Sequence, residues 1–298
     1  MPHRRCRALI ARLSLSLAVI AAPAAATTLE YVGTYVWRGN ERSFGGFSGI
    51  EISPDGHEFH ALSDRAWLYW GSLHRDPEGR IREVGVAGRA QLKDSKGTPL
   101  KPGYLGDSEG LAVAADGTIW VTFEGLDRLA SFDNPDAAAT LHARPPELPG
   151  MRLNAGLEAL AIDAKGDLYS LPEKSAREDQ PFPVLRYTDD TWSRYSTIRR
   201  DPRWLAVGAD FGPDGYLYLL ERDFHGLLGF SSRVRRMRLT PDGAQDEEIL
   251  LTTQPLQYDN LEGLAVWHDG LGIRLTLISD DNFLIVQRTE LVEYRLRD

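Results

Sequence analysis

Apolar and polar residues alternate along most of this chain, and the alternation comes in pairs of short runs joined by a tight turn. The stretch LAVAADGTIWVTFEG (111–125) is typical: two alternating runs flank Asp116-Gly117, which reads as a β-hairpin. Four more stretches share its register, namely SGIEISPDG (48–56), EALAIDAKG (158–166), VGADFGPDG (207–215) and EGLAVWHDG (262–270). Each enters a second apolar strand and then two further strand-like runs. Successive units begin 61, 49, 49 and 55 residues apart, a spacing that suits four-stranded blades. The fifth unit stops after its third strand, ELVEYRLRD, while TLEYVGTYVWR near the start is an unclaimed strand. The expectation is an all-β propeller of five four-stranded blades, closed by pairing of the N- and C-terminal strands. Six blades is the alternative, if residues 85–108 hide another hairpin.

Residues 1–26 stand outside this pattern. An Arg-rich start, a short apolar run and Ala24-Ala25-Ala26 read as a secretory signal peptide, which leaves residues 27–298 as one propeller domain. No later run has the length of a membrane helix. The expected location is therefore periplasmic or secreted, and the only cysteine, Cys6, falls in the signal. Losing Arg4, Arg5, Arg7 and Arg12 takes the formal charge from −9 to −13, which argues against nucleic acid and anionic membrane surfaces as partners.

In an antiparallel blade the start of the first strand and the end of the second share a face. Ser48, Glu109, Glu158, Val207 and Glu262 begin the first strands; Asp64, Glu124, Glu173, Glu221 and Asp280-Asp281 end the second. Up to nine carboxylates are thereby expected at one rim. Like charges near a partly buried channel raise each other's pKa unless cations neutralise them. Arg65, Lys174 and Arg222 stand beside three of these acids, and the long connections 93–107, 172–183 and 222–232 fall at the same rim. With oxygen donors from carboxylates, Asn154, Asn260 and Asn282, and no histidine or cysteine cluster, the metal expected here is a hard one, Ca²⁺. His57 and His268 sit at tight turns on the far face; only His225 is expected at the acidic rim. The seven tryptophans occupy strand positions and are assigned to packing between blades.

GDSEG (106–110) satisfies the G-x-S-x-G pattern of a serine hydrolase elbow, but that motif requires a strand-to-helix turn and a hairpin follows here. Leu157 and Leu261 occupy the place of Ser108 in sibling units, whereas Glu109 recurs as Glu158 and Glu262. The repeated feature is Glu-Gly-Leu, and Ser108 is incidental to it.

FGGFSGIEISPDGHEFHALSDR, GDSEGLAVAADGTIWVTFEGLDRLASF, LEGLAV and LISDDNF together resemble the exported phytase-like, or "esterase-like activity of phytase", propeller family. The resemblance implies hydrolysis of phosphate or carboxylic esters, by analogy with calcium-dependent propeller phytases, which are six-bladed. A fainter similarity to calcium-dependent lactonase propellers implies a single metal held by Glu109 or Glu262 with Asn154 or Asn260. The resulting candidates are Glu109, Glu262, Asp64 and His225 for catalysis and Arg65, Arg222 and Lys174 for an anionic or ester substrate. Glu109, Glu124, Glu158, Glu262, Asp280, Asp281 and Asn282 are the candidates for Ca²⁺. The competing expectation is a non-catalytic propeller that binds a ligand or an envelope protein at the same rim.

Overall fold

The structure, a computed structural model, describes residues 28–125, 128–145 and 156–297; the expected signal segment and Asn154 lie outside them. Strand β1 (Thr28–Trp37) opens the described chain. The first blade holds β2 (Phe47–Ile52), β3 (Glu58–Ser63), β4 (Trp67–Arg75) and β5 (Ile81–Gln91), and the second β6 (Ser108–Val113), β7 (Ile119–Phe123), β8 (Arg128–Phe132) and β9 (Thr140–Leu141). The third holds β10 (Leu157–Ile162), β11 (Leu168–Pro172), β12 (Phe182–Thr188) and β13 (Thr191–Ile198). The fourth holds β14 (Leu205–Phe211), β15 (Leu217–Phe224), β16 (Phe230–Thr240) and β17 (Gly243–Thr252). The fifth combines β18 (Asn260–His268), β19 (Ile273–Asp280) and β20 (Thr289–Arg297) with β1 as its outermost strand.

Five four-stranded antiparallel sheets thus make a five-bladed propeller. β1 pairs with β20 from Thr28 opposite Arg297 to Trp37 opposite Thr289, so both ends of the chain close one blade and leave no open sheet at the seam. No sixth blade hides in residues 85–108. Residues 85–91 belong to the outer strand β5, and the following loop carries only the isolated bridge Lys93–Pro99.

Local chemistry explains the repeated hairpins. At the first-to-second strand turns, Gly56, Gly117, Gly166 and Gly215 hold φ between 74° and 89°, a left-handed conformation that glycine adopts without penalty. Asp55, Asp116, Asp163 and Asp214 each accept a backbone N–H two residues on. The core lies between the sheets. Phe47, Ile50, Phe59 and Tyr69 of the first blade bury against Trp37, Trp267, Ile278 and Leu291 of the fifth. Buried ion pairs pin the same seam: Arg274 and Arg295 both reach Asp269 at 2.6 Å, while Arg75 crosses from the first blade to Glu293 at 2.6 Å.

Candidate active site at the channel mouth

Every inner strand breaks register near its start. The breaks lie between Phe47 and Gly49, Ser108 and Leu111, Leu157 and Ala159, Ala206 and Gly208, and Leu261 and Gly263. The residues left out of pairing are Ser48, Glu109 with Gly110, Glu158, Val207 and Glu262, which are the first positions of the sequence repeat. A bulge re-aims the side chain it carries. The glycine that follows lets neighbouring inner strands meet: a Cβ on Gly110 would come within 2.6 Å of the Leu160 Cβ, and one on Gly208 within 2.4 Å of the Glu262 carbonyl. Glu-Gly-Leu is therefore a bulge residue, a point of contact between inner strands and a core residue.

The carboxylates that converge are identified by the charges each one feels. Burial first, then Glu158, Glu262, Asp107 and Glu124, push Glu109 well above the usual carboxylate range. Burial, then Glu173 and Glu262, do the same for Glu158 against the pull of Arg222. Burial raises Glu262, with Arg222 and a hydrogen bond from Asn260 opposing it. Asp64 rises to about 6, through burial and the charges of Glu262 and Asp107, although Arg65 opposes the shift. Asp280 rises to about 8, through burial and then Glu262, Asp64 and Asp281. Asp64, Glu109, Glu124, Glu158, Glu262 and Asp280 thus share one mouth with Asp107 and Glu173.

Among the described residues, Arg222 and Lys174 pair with acids of the mouth. Arg222 bonds Glu262 through Nη1, reaches Glu173 at 3.3 Å and donates to the Asn260 Oδ1 at 3.2 Å. Asn260, 1 % exposed, donates in turn to Glu262 at 2.8 Å and to Asp280 at 3.4 Å. Lys174 pairs with Glu173 at 2.9 Å; despite burial, Lys174 and Arg222 hold the Glu173 carboxyl below its ordinary value. Across the ring, in the second blade, one carboxylate oxygen each from Asp107, Glu109 and Glu124 lies within 4.8 Å of the others. Two oxygens bound to one Ca²⁺ at 2.3–2.6 Å can be at most about 5 Å apart, so this trio fits a hard cation by donor type and spacing.

The remaining candidates have other surroundings. The Asp281 carboxylate accepts from Gly46 N at 2.9 Å, Phe283 N at 3.0 Å and the Thr289 hydroxyl at 3.1 Å, and so shapes the loop after β19. Asn282, at φ 47°, donates its backbone N–H to Asp280 at 2.6 Å. Arg65 stacks on Phe283, 3.2 Å from the ring centroid. His225, at the β15–β16 hairpin, shares a hydrogen bond of 2.9 Å with Ser231 and lies 3.8 Å from Asp223. Glu221 does not reach the rim expected of it. β15 runs on to Phe224, which leaves Glu221 inside the sheet, 2.7 Å from both Arg233 and Arg235. Ser108 is fully buried: its hydroxyl donates to the Ser63 carbonyl at 2.6 Å and accepts from Ala66 N at 3.1 Å, latching two blades together.

Two groups escape the repeat pattern. Asp107 precedes the β6 start, outside the register; its one signal is its place in GDSEG. At the opposite end of the channel, burial lifts Asp210 to about 7 while it accepts from Val266 N at 2.6 Å and Phe211 N at 2.7 Å. Glu51 is raised there too, by burial and by Asp210. Loops of the mouth face, and the end of β15 at Phe224, also carry exposed apolar side chains, among them Tyr104, Leu105, Leu227 and Ile285, so the acidic mouth has apolar surroundings.

A phytase-like family model, described as esterase-like activity of phytase, matches residues 42–283, a span that contains all five inner strands and every acid of the mouth. The chain belongs to the phytase-like family. No match is found among curated proteins. Among solved structures, this phytase-like chain is similar to a PQQ-bound aldose sugar dehydrogenase from Streptomyces coelicolor (14% identity, 93% of this chain and 100% of that one, TM-score 0.48). It is similar also to virginiamycin B lyase from Staphylococcus aureus (15%, 85% and 82%, 0.42) and to a gluconolactonase from Xanthomonas campestris (13%, 84% and 72%, 0.42). These similarities carry no information on the chemistry of the phytase-like chain.

Proposed function

We propose that this phytase-like protein is an exported, Ca²⁺-dependent hydrolase of phosphate or carboxylic esters that works at the channel mouth. The observation that carries the reading is the Asp107–Glu109–Glu124 trio, three carboxylate oxygens within 4.8 Å of one another, of which Glu109 is pushed well above the usual carboxylate range by burial and then by the charges around it. A cation held there would supply Lewis-acid polarisation of a substrate oxygen. Asp64 and Asp280, raised by burial and neighbouring acids to about 6 and about 8, are the carboxyls that would exchange protons with the attacking water and the departing oxygen beside such a cation. Arg65, stacked on Phe283 and without a carboxylate at ion-pair distance among the described residues, is the rim cation suited to an anionic substrate group. Arg222 has a different part, as the fixed counter-charge of Glu173 and Glu262.

The test is calorimetric Ca²⁺ titration together with a panel of phosphomonoesters, acyl esters and lactones, each with Ca²⁺ and with EDTA. Ca²⁺-dependent turnover that disappears in Glu109→Gln is the expected result. Ca²⁺ binding without turnover of any class would favour a ligand- or protein-binding propeller, and no Ca²⁺ binding would remove the mechanism.

A further inference from the structure

The second blade is built unlike its siblings. Its outer strand β9 has 2 residues, against 11, 8, 10 and 10 in β5, β13, β17 and β1, and it pairs with β8 only at Ala130 and Ser131. A cavity of about 270 Å³ opens beside this short strand among the described residues, near the size of the smaller ligand sites at ~300 Å³. Leu100, Phe123, Leu129, Phe132 and Ala139 give it an apolar floor. The site adjoins the channel mouth, since Leu105 and Phe123 line it while Asp107 and Glu124 follow them in the chain.

The charge of this cavity runs against the net −9 of the chain. Arg128, Arg144 and Lys93 all line it. Arg128 donates to the Leu105 carbonyl and lies 4.1 Å from the centroid of the Phe123 ring. Burial, and the charge of Arg144 beside it, both disfavour its protonated form. Neither arginine has a carboxylate at ion-pair distance among the described residues. Lys93 donates to the Asp136 carbonyl at 2.6 Å, with that carboxylate at 3.8 Å. The lining acid, Asp94, accepts from Lys96 N and Thr98 N, both at 2.9 Å, and closes its own turn. Burial lowers the pKa of His142 against the opposing pull of Asp190, 3.7 Å away, and its ring nitrogens lie 2.8 Å from Ser131 Oγ and 2.8 Å from Tyr187 OH. Two guanidinium groups facing a partly desolvated apolar space repel each other until an anion joins them.

We propose that this cavity is a binding site for an amphiphilic carboxylate, its alkyl or aryl tail on the apolar floor and its head paired with Arg128 and Arg144. Guanidinium–carboxylate pairs of this kind are directional, and the tail displaces water from apolar surface. The site requires no metal and stands apart from the hydrolase reading.

The experiment titrates the full-length protein with sodium octanoate, octanol and acetate by calorimetry and thermal shift, in EDTA and again in Ca²⁺. Octanoate is expected to bind and stabilise in both buffers, with octanol and acetate at least tenfold weaker. Arg144→Gln, an exposed position, should fold normally and weaken octanoate at least fivefold. Ala139→Leu, which narrows the floor, should weaken octanoate and leave acetate unchanged. No binding of octanoate, equal binding of octanol, or unchanged affinity in Arg144→Gln would each overturn the assignment.

Discussion

Replacing Asp280 by Asn tests the electrostatics of the mouth without altering its shape. Asp280 is 5 % exposed, and its proton is held to about pH 8 against an ordinary value of 3.8. Between these limits the folded protein binds a proton that the unfolded chain has released. Stability from this group is therefore full below about pH 4 and is lost as pH rises towards 8. One pKa unit corresponds to about 1.4 kcal/mol, so the loss from pH 5 to pH 8 has an upper bound of ~4 kcal/mol. Water and counter-ions in an open mouth screen the repulsion, and ~1–2 kcal/mol is the expected residue, or about 2–8 °C in Tm for a domain of this size. Asn cannot ionise, and its amide oxygen can still accept from Asn282 N, now 2.6 Å from Asp280. The Asn260 contact at 3.4 Å is lost alike at every pH and cancels in the comparison. Thermal melts in EDTA from pH 5 to 9 should show wild type falling faster than Asp280→Asn, with Ca²⁺ narrowing the gap. Parallel curves for the two proteins would refute the reasoning.

In Glu109→Gln and Glu124→Gln, Ca²⁺ affinity should fall tenfold or more and Ca²⁺-induced stabilisation should fall with it, by about 1.4 kcal/mol per tenfold at saturating Ca²⁺, because binding to the folded state alone links the two; calorimetry and melts measure both. Ser108→Ala removes the hydroxyl that bridges the Ser63 carbonyl and the Ala66 N–H, which keep their own hydrogen bond of 3.0 Å, and should cost roughly 1–2 kcal/mol in denaturant unfolding. The ester turnover proposed above should be retained in this variant below Tm, and complete loss of that turnover in a folded variant would return Ser108 to the role of nucleophile. Gly208→Ala brings a Cβ to 2.4 Å from the Glu262 carbonyl, so it should destabilise by about 1–3 kcal/mol or more, again read by denaturant unfolding.

Much of the architecture was legible in the sequence because it is local. Asp-Gly or Lys-Gly at the first turn of each unit specifies a left-handed glycine, period-two alternation specifies strands, and their spacing specifies five blades. The closing pair β1–β20 followed by counting strands, and the recurrence of Glu109, Glu158 and Glu262 marked the mouth, since strand direction alone puts strand-one starts and strand-two ends on one face. What the sequence left open depends on how blades approach one another. Glu221 looked like its neighbours until β15 proved longer and buried it against Arg233 and Arg235. Arg222 stands beside an acid in the sequence, but its pairing with Glu173 and Glu262 from two other blades is set by the packed ring. Asp107 joins Glu109 and Glu124 through a loop that obeys no period, and the cationic cavity opens beside the short strand β9. Partners in such contacts are distant in sequence and set by side-chain reach across an interface. Only the packed ring determines them, whereas hydrogen-bonded turns and alternating strands are written residue by residue.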